Sequence, residues 1–244
     1  MVKLGLDFPT AWSRGRVVRT ARSALHGAFM APYMRYIATL EVRGREGLPT
    51  TSPVIFAANH TSHLDTPLLL SALPARVRHH TVVAAAMDSF FMSWMIAVRT
   101  VFAFNAIPID RHRVNRRSAQ IAQDLLEQGW NLLIYPEGGR TPTGELREFK
   151  GGAAYLAERT GAVVVPTYLH DAAWIRGPKY AKAPRFTTAP SRRRHHVIVA
   201  FGDPIRFGEG ENLRRFGARI EGAVAQLGRE VSGDPTYGVR PPSP

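Results

Sequence analysis

The chain has 244 residues, 45% of them hydrophobic, with 32 Lys and Arg against 19 Asp and Glu, a formal charge of +13 and a pI near 10.9. It contains no cysteine, which removes thiol nucleophiles, disulfides and cysteine metal sites together and fits a reducing compartment, although a thioester can still be a substrate. The charge calls for a polyanionic partner: nucleic acid, an anionic membrane surface or a phosphate-bearing substrate.

Residues 9–40 read as helical and basic. Val18, Ala21, Leu25 and Phe29 recur at helical spacing, Arg16, Arg19 and Arg22 flank that stripe, and Trp12 stands at its start. Such a helix either lies in a membrane interface with its arginines at the lipid phosphates or packs on the core as an ordinary surface helix. Pro32 is expected to bend or end it, and residues 40–43 alternate as a strand. No apolar run reaches the roughly 20 residues that cross a bilayer, because Asp88 and Arg99 bracket the longest candidate. The N-terminus lacks the apolar core of a secretory signal. The expected location is therefore cytoplasmic, free or at the membrane face.

Val54-Ile55-Phe56-Ala57-Ala58 reads as a buried strand, and the segment from Asp65 as the first turn of a helix. Between them lies Asn59-His60-Thr61-Ser62-His63-Leu64-Asp65. Four residues separate His60 from Asp65, enough for a tight turn to return the carboxylate to the imidazole. A carboxylate on one ring nitrogen fixes the tautomer and leaves the other nitrogen to take a proton. Residues 81–86 read as another buried strand. The cluster Phe90-Phe91-Met92-Ser93-Trp94-Met95-Ile96 is either core or an apolar surface for an acyl chain. Ala106-Ile107-Pro108-Ile109-Asp110-Arg111 is a short strand ending in an acid and a base, a solvated pair or an anion clamp made by Arg111.

An amphipathic helix is expected over 115–128, closed by Gly129, and a strand over 130–135. A helix between two buried strands implies a parallel crossover. In Pro136-Glu137-Gly138-Gly139-Arg140-Thr141 the glycines let backbone N–H groups approach an anion, Arg140 adds charge, and Lys150 stands before the next helix. Residues 162–168 form a further strand, irregular or ending at Pro166. A basic, proline-punctuated loop is expected over 176–196, a strand over 197–201, a closing helix over 212–231 and a disordered tail from 232. The organisation expected is an N-terminal helical segment over 1–45 at the membrane interface and an α/β domain over 46–231, its central sheet mixed but largely parallel and flanked by helices.

Four blocks in this order resemble the glycerolipid acyltransferase family. His60 to Asp65 is similar to its His-x4-Asp block, 106–111 to its second, Tyr135 to Arg140 to its third and Val164-Val165-Pro166 to its fourth; together they span roughly residues 50–170. The resemblance implies transfer of an acyl group from acyl-CoA or acyl carrier protein to a hydroxyl of a glycerol-phosphate lipid, most simply 1-acylglycerol-3-phosphate, or else another lysophospholipid or phosphoglycolipid. It implies His60 as general base, Asp65 as its orienting acid, and Arg111, Glu137, Gly138, Gly139, Arg140 and Lys150 around the acceptor, Glu137 bonding a hydroxyl or bracing the loop. Neither metal nor cofactor is expected beyond the acyl-thioester co-substrate, and the protein is expected on an anionic membrane surface, peripheral or monotopic. Two departures stand out: Asn105 where the family usually has Gly, expected to reshape the acceptor pocket, and Gly139 where it usually has Thr, expected to loosen the phosphate loop.

Two readings from other classes compete. His60, His63 and Asp65, with His79 and His80 nearby, suggest a metal-dependent hydrolase, but Thr66 stands where the common arrangement wants a further histidine. A nucleic-acid-binding module is suggested by charge alone, and aromatics are not interleaved with the basic runs as stacking would require; no nucleic-acid partner is expected.

Overall fold

The computed structural model describes residues 4–51, 53–112, 115–141, 144–172 and 195–239. Most of the expected basic loop and the end of the tail lie outside these. Among the described residues seven strands form one sheet in the order β1-β7-β6-β2-β5-β3-β4, from β1 (Ala38–Arg43), β2 (Val54–Ala58), β3 (Thr81–Ala86), β4 (Ala106–Ile109), β5 (Asn131–Ile134), β6 (Val163–His170) and β7 (His195–Phe201). Every neighbouring pair is parallel except β6 with β7. The expected mixed, largely parallel sheet flanked by helices is the fold observed.

Strand β2 is buried at all five residues, as a central parallel strand must be. Its side chains alternate. Val54, Phe56 and Ala58 join Leu133, Val165 and the Leu68 and Leu69 of α3 (Asp65–Ala72) on one face of the sheet. Ile55 and Ala57 meet Leu132, Val164, Leu126 of α7 (Arg116–Glu127), Ala157 of α8 (Gly152–Thr160) and Phe216 of α9 (Leu213–Ser232) on the other. Helix α7 begins where Asn115 caps it, accepting from Arg117 N and Ser118 N, and it is followed by Gly129 at φ +84°.

Several expectations change. The strand β1, partly assigned to an N-terminal helical segment, pairs with β7 at the sheet edge. The sheet therefore begins at residue 38. The helical segment is itself broken into a 3-10 turn at Ala11–Arg14, α1 (Arg16–Leu25), a π-turn at His26–Met30 and α2 (Ala31–Ile37), with Pro32 in the first turn of α2. Of the two readings of the apolar stripe, packing on the core is the weaker: Val18 and Leu25 are half-buried, Ala21 is exposed and Phe29 is 69% exposed, whereas Arg22 and His26 are buried. Those polar groups anchor the helix, Arg22 Nη2 donating to Ser13 O (3.0 Å) and His26 Nε2 bonding Ala103 O (2.8 Å) at the end of α6 (Trp94–Phe104). Pro166 does not end β6, because its missing N–H falls where β7 has already turned away at Gly202 and its carbonyl accepts from Gly202 N. Past Ser232 the chain folds back, with the Tyr237 ring edge-on to Tyr168 at 5.1 Å and its carbonyl accepting from Arg229 Nη1. Part of the expected disordered tail is thus packed.

Candidate active site

The site lies at the carboxyl ends of β2 and β5, the crevice where open α/β sheets bind ligands. At the end of β2, Asn59 is clamped to β6 by a reciprocal pair, Nδ2 donating to Leu169 O (3.0 Å) and Oδ1 accepting from Leu169 N (2.8 Å). The next residue, His60, therefore starts from a fixed point. The turn then returns Asp65, fully buried, so that its Oδ2 accepts from His60 Nδ1 at 2.8 Å, Thr61 N at 2.6 Å and Ser62 N at 2.8 Å. Two backbone donors and the imidazole share one oxygen, which supplies the hydrogen bonds that a buried carboxylate needs. With Nδ1–H engaged, Nε2 is the nitrogen left to accept a proton.

The histidine ring is held from a second side. Tyr135, directly after β5, stacks on it with centroids 4.1 Å apart and planes at 18°, and its hydroxyl bonds Thr66 Oγ1 at 2.9 Å. Burial, and then the charge of Asp65, push the Tyr135 phenol well above its ordinary pKa; it stays protonated. The stack was not foreseen from sequence, although β2 and β5 are neighbours and an aromatic at the end of one must lie beside the residue ending the other.

The glycine loop after Tyr135 is tied to the His60 turn by two bonds. Thr141 N donates to His60 O (2.8 Å), and His60 N donates to Glu137 Oε1 (2.6 Å). The other oxygen, Oε2, accepts from Thr141 Oγ1 (2.8 Å) and Arg147 N (3.1 Å). Glu137 is 5% exposed. Of the two roles considered for it, the geometry shows bracing, since both oxygens are engaged within the protein. Burial is the largest influence on it and raises its pKa, against the lowering effect of these hydrogen bonds.

Cations surround the loop. A β-carbon on Gly139 would lie 3.7 Å from Arg147 Nη1 and 4.0 Å from Arg111 Nη1. Gly138 has φ +69°, and a β-carbon there would meet the Lys150 side chain at 2.7 Å, so this position requires glycine for its conformation. Lys150 Nζ donates to Arg111 O and Lys150 N to Pro136 O (2.9 Å), so this residue joins the second and third blocks. Arg140 is half-buried; burial lowers its pKa most, the nearby Asp65 raises it and Arg111 lowers it again. Arg111 does not pair with Asp110. Its Nε and Nη2 hold Asp88 Oδ2 at 3.1 and 2.7 Å, which aims the guanidinium. Asp88 and Arg147 were both missed from sequence. Asp88 follows β3 and Arg111 follows β4, and adjacent parallel strands deliver their following residues to one edge.

The first of the two departures lies elsewhere than expected. Asn105 ends α6 in the left-handed region at φ +52°, which Gly and Asn tolerate best. Its side chain accepts from Ser13 Oγ (2.8 Å) and donates to Thr81 O (3.1 Å), at the beginnings of β3 and β4, away from the glycine loop. It fastens the N-terminal segment. Gly139 lies in a loop that the bonds above close on both sides. His63 stands edge-on to Phe90 at 6.4 Å, and among the described residues no three of His, Asp and Glu are grouped to hold a metal ion.

Comparison with known proteins gives the site its context. The family model Acyltransferase matches residues 39–170, more than half of the chain and all four blocks. The chain belongs to this acyltransferase family. It is 28% identical to mouse 1-acyl-sn-glycerol-3-phosphate acyltransferase alpha over 79% of its own length and 65% of the mouse protein. It is 29% identical to the sheep protein of the same name, over 94% of this chain and 76% of that one. The solved structure of the 1-acyl-sn-glycerophosphate acyltransferase PlsC from Thermotoga maritima superposes with a TM-score of 0.67 at 19% identity, covering 92% of this chain and 88% of that one. The last likeness is one of fold. In this acyltransferase the matched region begins in β1 and ends in β6, so it takes in the whole of the His60 site and leaves the N-terminal helices and α9 outside.

Proposed function

We propose that this acyltransferase moves a fatty acyl group from an acyl thioester, carried by coenzyme A or acyl carrier protein, to a hydroxyl of a glycerol-phosphate lipid, with 1-acylglycerol-3-phosphate giving phosphatidic acid as the simplest case. The observation that carries this reading is the pairing of His60 Nδ1 with the buried Asp65 at 2.8 Å, beside a glycine loop ringed by Arg111, Arg140, Arg147 and Lys150. His60 Nε2 takes the proton of the acceptor hydroxyl as its oxygen attacks the thioester carbonyl carbon. Asp65 holds the tautomer and stabilises the imidazolium. The tetrahedral intermediate collapses by breaking the carbon–sulfur bond, and the proton passes from His60 to the departing thiolate. The products are an ester and a free thiol, with no covalent enzyme intermediate. Arg111 and Arg140 hold the acceptor phosphate, Arg147 and Lys150 add charge at its edge, and Gly138 and Gly139 let the phosphate approach the backbone.

The membrane side of the reading rests on the surface. Met92, Trp94, Met95 and Ile96 are 46–63% exposed around the start of α6, and Phe29 and Tyr36 of the N-terminal helices are exposed as well. No helix among the described residues is long and apolar enough to cross a membrane. These side chains would enter the cytoplasmic interface of an anionic bilayer while the arginines meet its phosphates.

The test is an acyl-transfer assay with palmitoyl-CoA, oleoyl-CoA and acyl carrier protein donors against lysophospholipids and glycerol 3-phosphate. Transfer to one acceptor, reduced about 10²–10⁴-fold in His60→Ala with the fold intact by circular dichroism, is the expected result. A wild type inert with every donor and acceptor would sink the proposal.

A further inference from the structure

A second polar pocket lies at the other edge of the sheet. Helix α1 lies there beside His79 and Trp130, with Ser23 Oγ bonding His79 Nε2 at 2.7 Å and Arg19 over the Trp130 ring, and the pocket is lined by Arg19, Arg22, Ser23 and His26 together with Arg78 and His79, which precede Thr81 at the start of β3. Thr81 is level with Asn131 and Val54, so the length of β2, roughly 16 Å at 3.3 Å per residue, separates it from the His60 turn. The pocket is small, about 10 Å³, room for one oxygen-sized group.

Its charge is unbalanced. Arg22 is 7% exposed; Nη2 donates to Ser13 O, and Nη1 is buried with no partner. Arg78 Nε is likewise buried without a partner, its Nη1 reaching only Leu70 O at 3.4 Å. No carboxylate occurs among the described residues that line the pocket. The charges that act on Arg22 are Arg19 and Arg14, and these with burial push it down to about 10. At His79 burial acts first, and then Arg78, Arg19, His80 and Arg22, none of them an acid. A buried guanidinium with neither counter-charge nor full hydrogen bonding is costly, and an oxyanion is the group that fits its planar donors.

We infer that this pocket is an anion site that takes a phosphate group, one oxygen of which enters and accepts from Arg22 Nη1 and Arg78 Nε while the rest sits at the rim among Arg19, Ser23 and His79. The site stands apart from the acyl-transfer machinery and independently of that reading. Its occupancy fastens α1, through Arg22, to the segment between α3 (by Leu70) and β3. The phosphate is either free in solution or the headgroup of a phosphomonoester lipid, since α1 carries the exposed Val17 and the turn after it the exposed Phe29.

The experiment uses the full chain. Thermal unfolding is followed while inorganic phosphate replaces chloride at constant ionic strength and neutral pH, for wild type, Arg22→Gln, Arg78→Gln and Arg140→Gln. Phosphate is expected to raise the wild-type Tm on the order of 2–4 °C. The apparent affinity should fall at least about tenfold in Arg22→Gln and in Arg78→Gln and persist in Arg140→Gln. The half-exposed Arg78 gives a second variant should Arg22→Gln not fold. Co-sedimentation with phosphatidylcholine vesicles, with and without phosphatidic acid, separates the sources. Loss of phosphatidic-acid-dependent binding in Arg22→Gln and Arg78→Gln assigns the lipid headgroup, and lost phosphate response with unchanged vesicle binding assigns the free ion. A response to phosphate that is as large and as tight in both pocket variants as in wild type, or that vanishes only in Arg140→Gln, overturns the inference, as does a wild type indifferent to phosphate and to phosphatidic acid.

Discussion

His60 owes its orientation to two neighbours of different kinds, Asp65 through a hydrogen bond and Tyr135 through a stacked ring. The two contributions are separable. Tyr135→Phe keeps the ring and loses only the bond to Thr66, whereas Tyr135→Ala removes the wall against which the imidazole rests. Kinetics of the two variants should therefore diverge: kcat within a few-fold of wild type for Phe, and lower by roughly 10²-fold for Ala, a loss of the size that misplacing a reacting group produces. Equal losses in both would assign the effect to the phenol hydroxyl instead. The exchange of Gly for Asn at 105 makes a related point. One backbone conformation is served by two residue types, and the exchange reports on a helix end rather than on the acceptor.

Between elements, the loop bearing the cations and the turn bearing the base are joined through one buried carboxylate. Glu137 accepts from His60 N, Thr141 Oγ1 and Arg147 N. In Glu137→Gln one oxygen becomes an amide that faces donors, so at least one buried N–H or O–H loses its partner, costing about 1–3 kcal/mol. Differential scanning calorimetry should show a lower Tm, by about 2–4 °C per kcal/mol, and activity should fall with it because the backbone of His60 is no longer held. The N-terminal helices have a different sensitivity. Burial first, and then the neighbouring arginines, depress the pKa of His26 and His79 below the usual 6.5, the Ala103 carbonyl opposing this at His26. The folded state thus binds these protons less readily than the unfolded chain. Their contribution to stability is complete above pH 6.5 and is lost as pH falls through the depressed values. Hydrogen exchange measured at stepwise lower pH should find α1 opening before the sheet, and His26→Phe, which keeps a ring beside Phe104, should move that transition to lower pH. Uniform acid sensitivity of α1 and β2 would refute the assignment.

For the whole molecule, the formal charge of +13 and the apolar ridge at the start of α6 combine into one surface property. On the proposed reading, charge would draw the protein to an anionic bilayer over a distance set by screening, and Trp94 and Met95 would hold it there by burial. Trp94→Ser with Met95→Ser is expected to weaken association with phosphatidylglycerol-containing vesicles by about tenfold or more while leaving the unfolding transition unchanged, since both side chains are more than half exposed. Raised salt should weaken wild type further. Vesicle binding equal in both proteins would place the contact elsewhere.

The chain by itself determined what is local. The apolar run of β2, the caps Asn115 and Asn212, and the spacing of His60 to Asp65 specify strand, helix ends and turn through interactions a few residues long. Periodicity also carried the class of sheet, because helices between buried strands leave few alternatives. What joins distant segments was not legible. The Tyr135 stack, the Arg111–Asp88 pair and the bracing by Glu137 depend on which strand ends share an edge, and that order, β2 between β6 and β5, is set by packing on both faces of the sheet. The N-terminal helix shows the limit most plainly. Its hydrophobic stripe left open whether that face meets a membrane or the core, and Arg22 and His26 point inward because the surface offered to them presents carbonyls at Ser13 and Ala103; only the tertiary structure decides which partner a helix face meets.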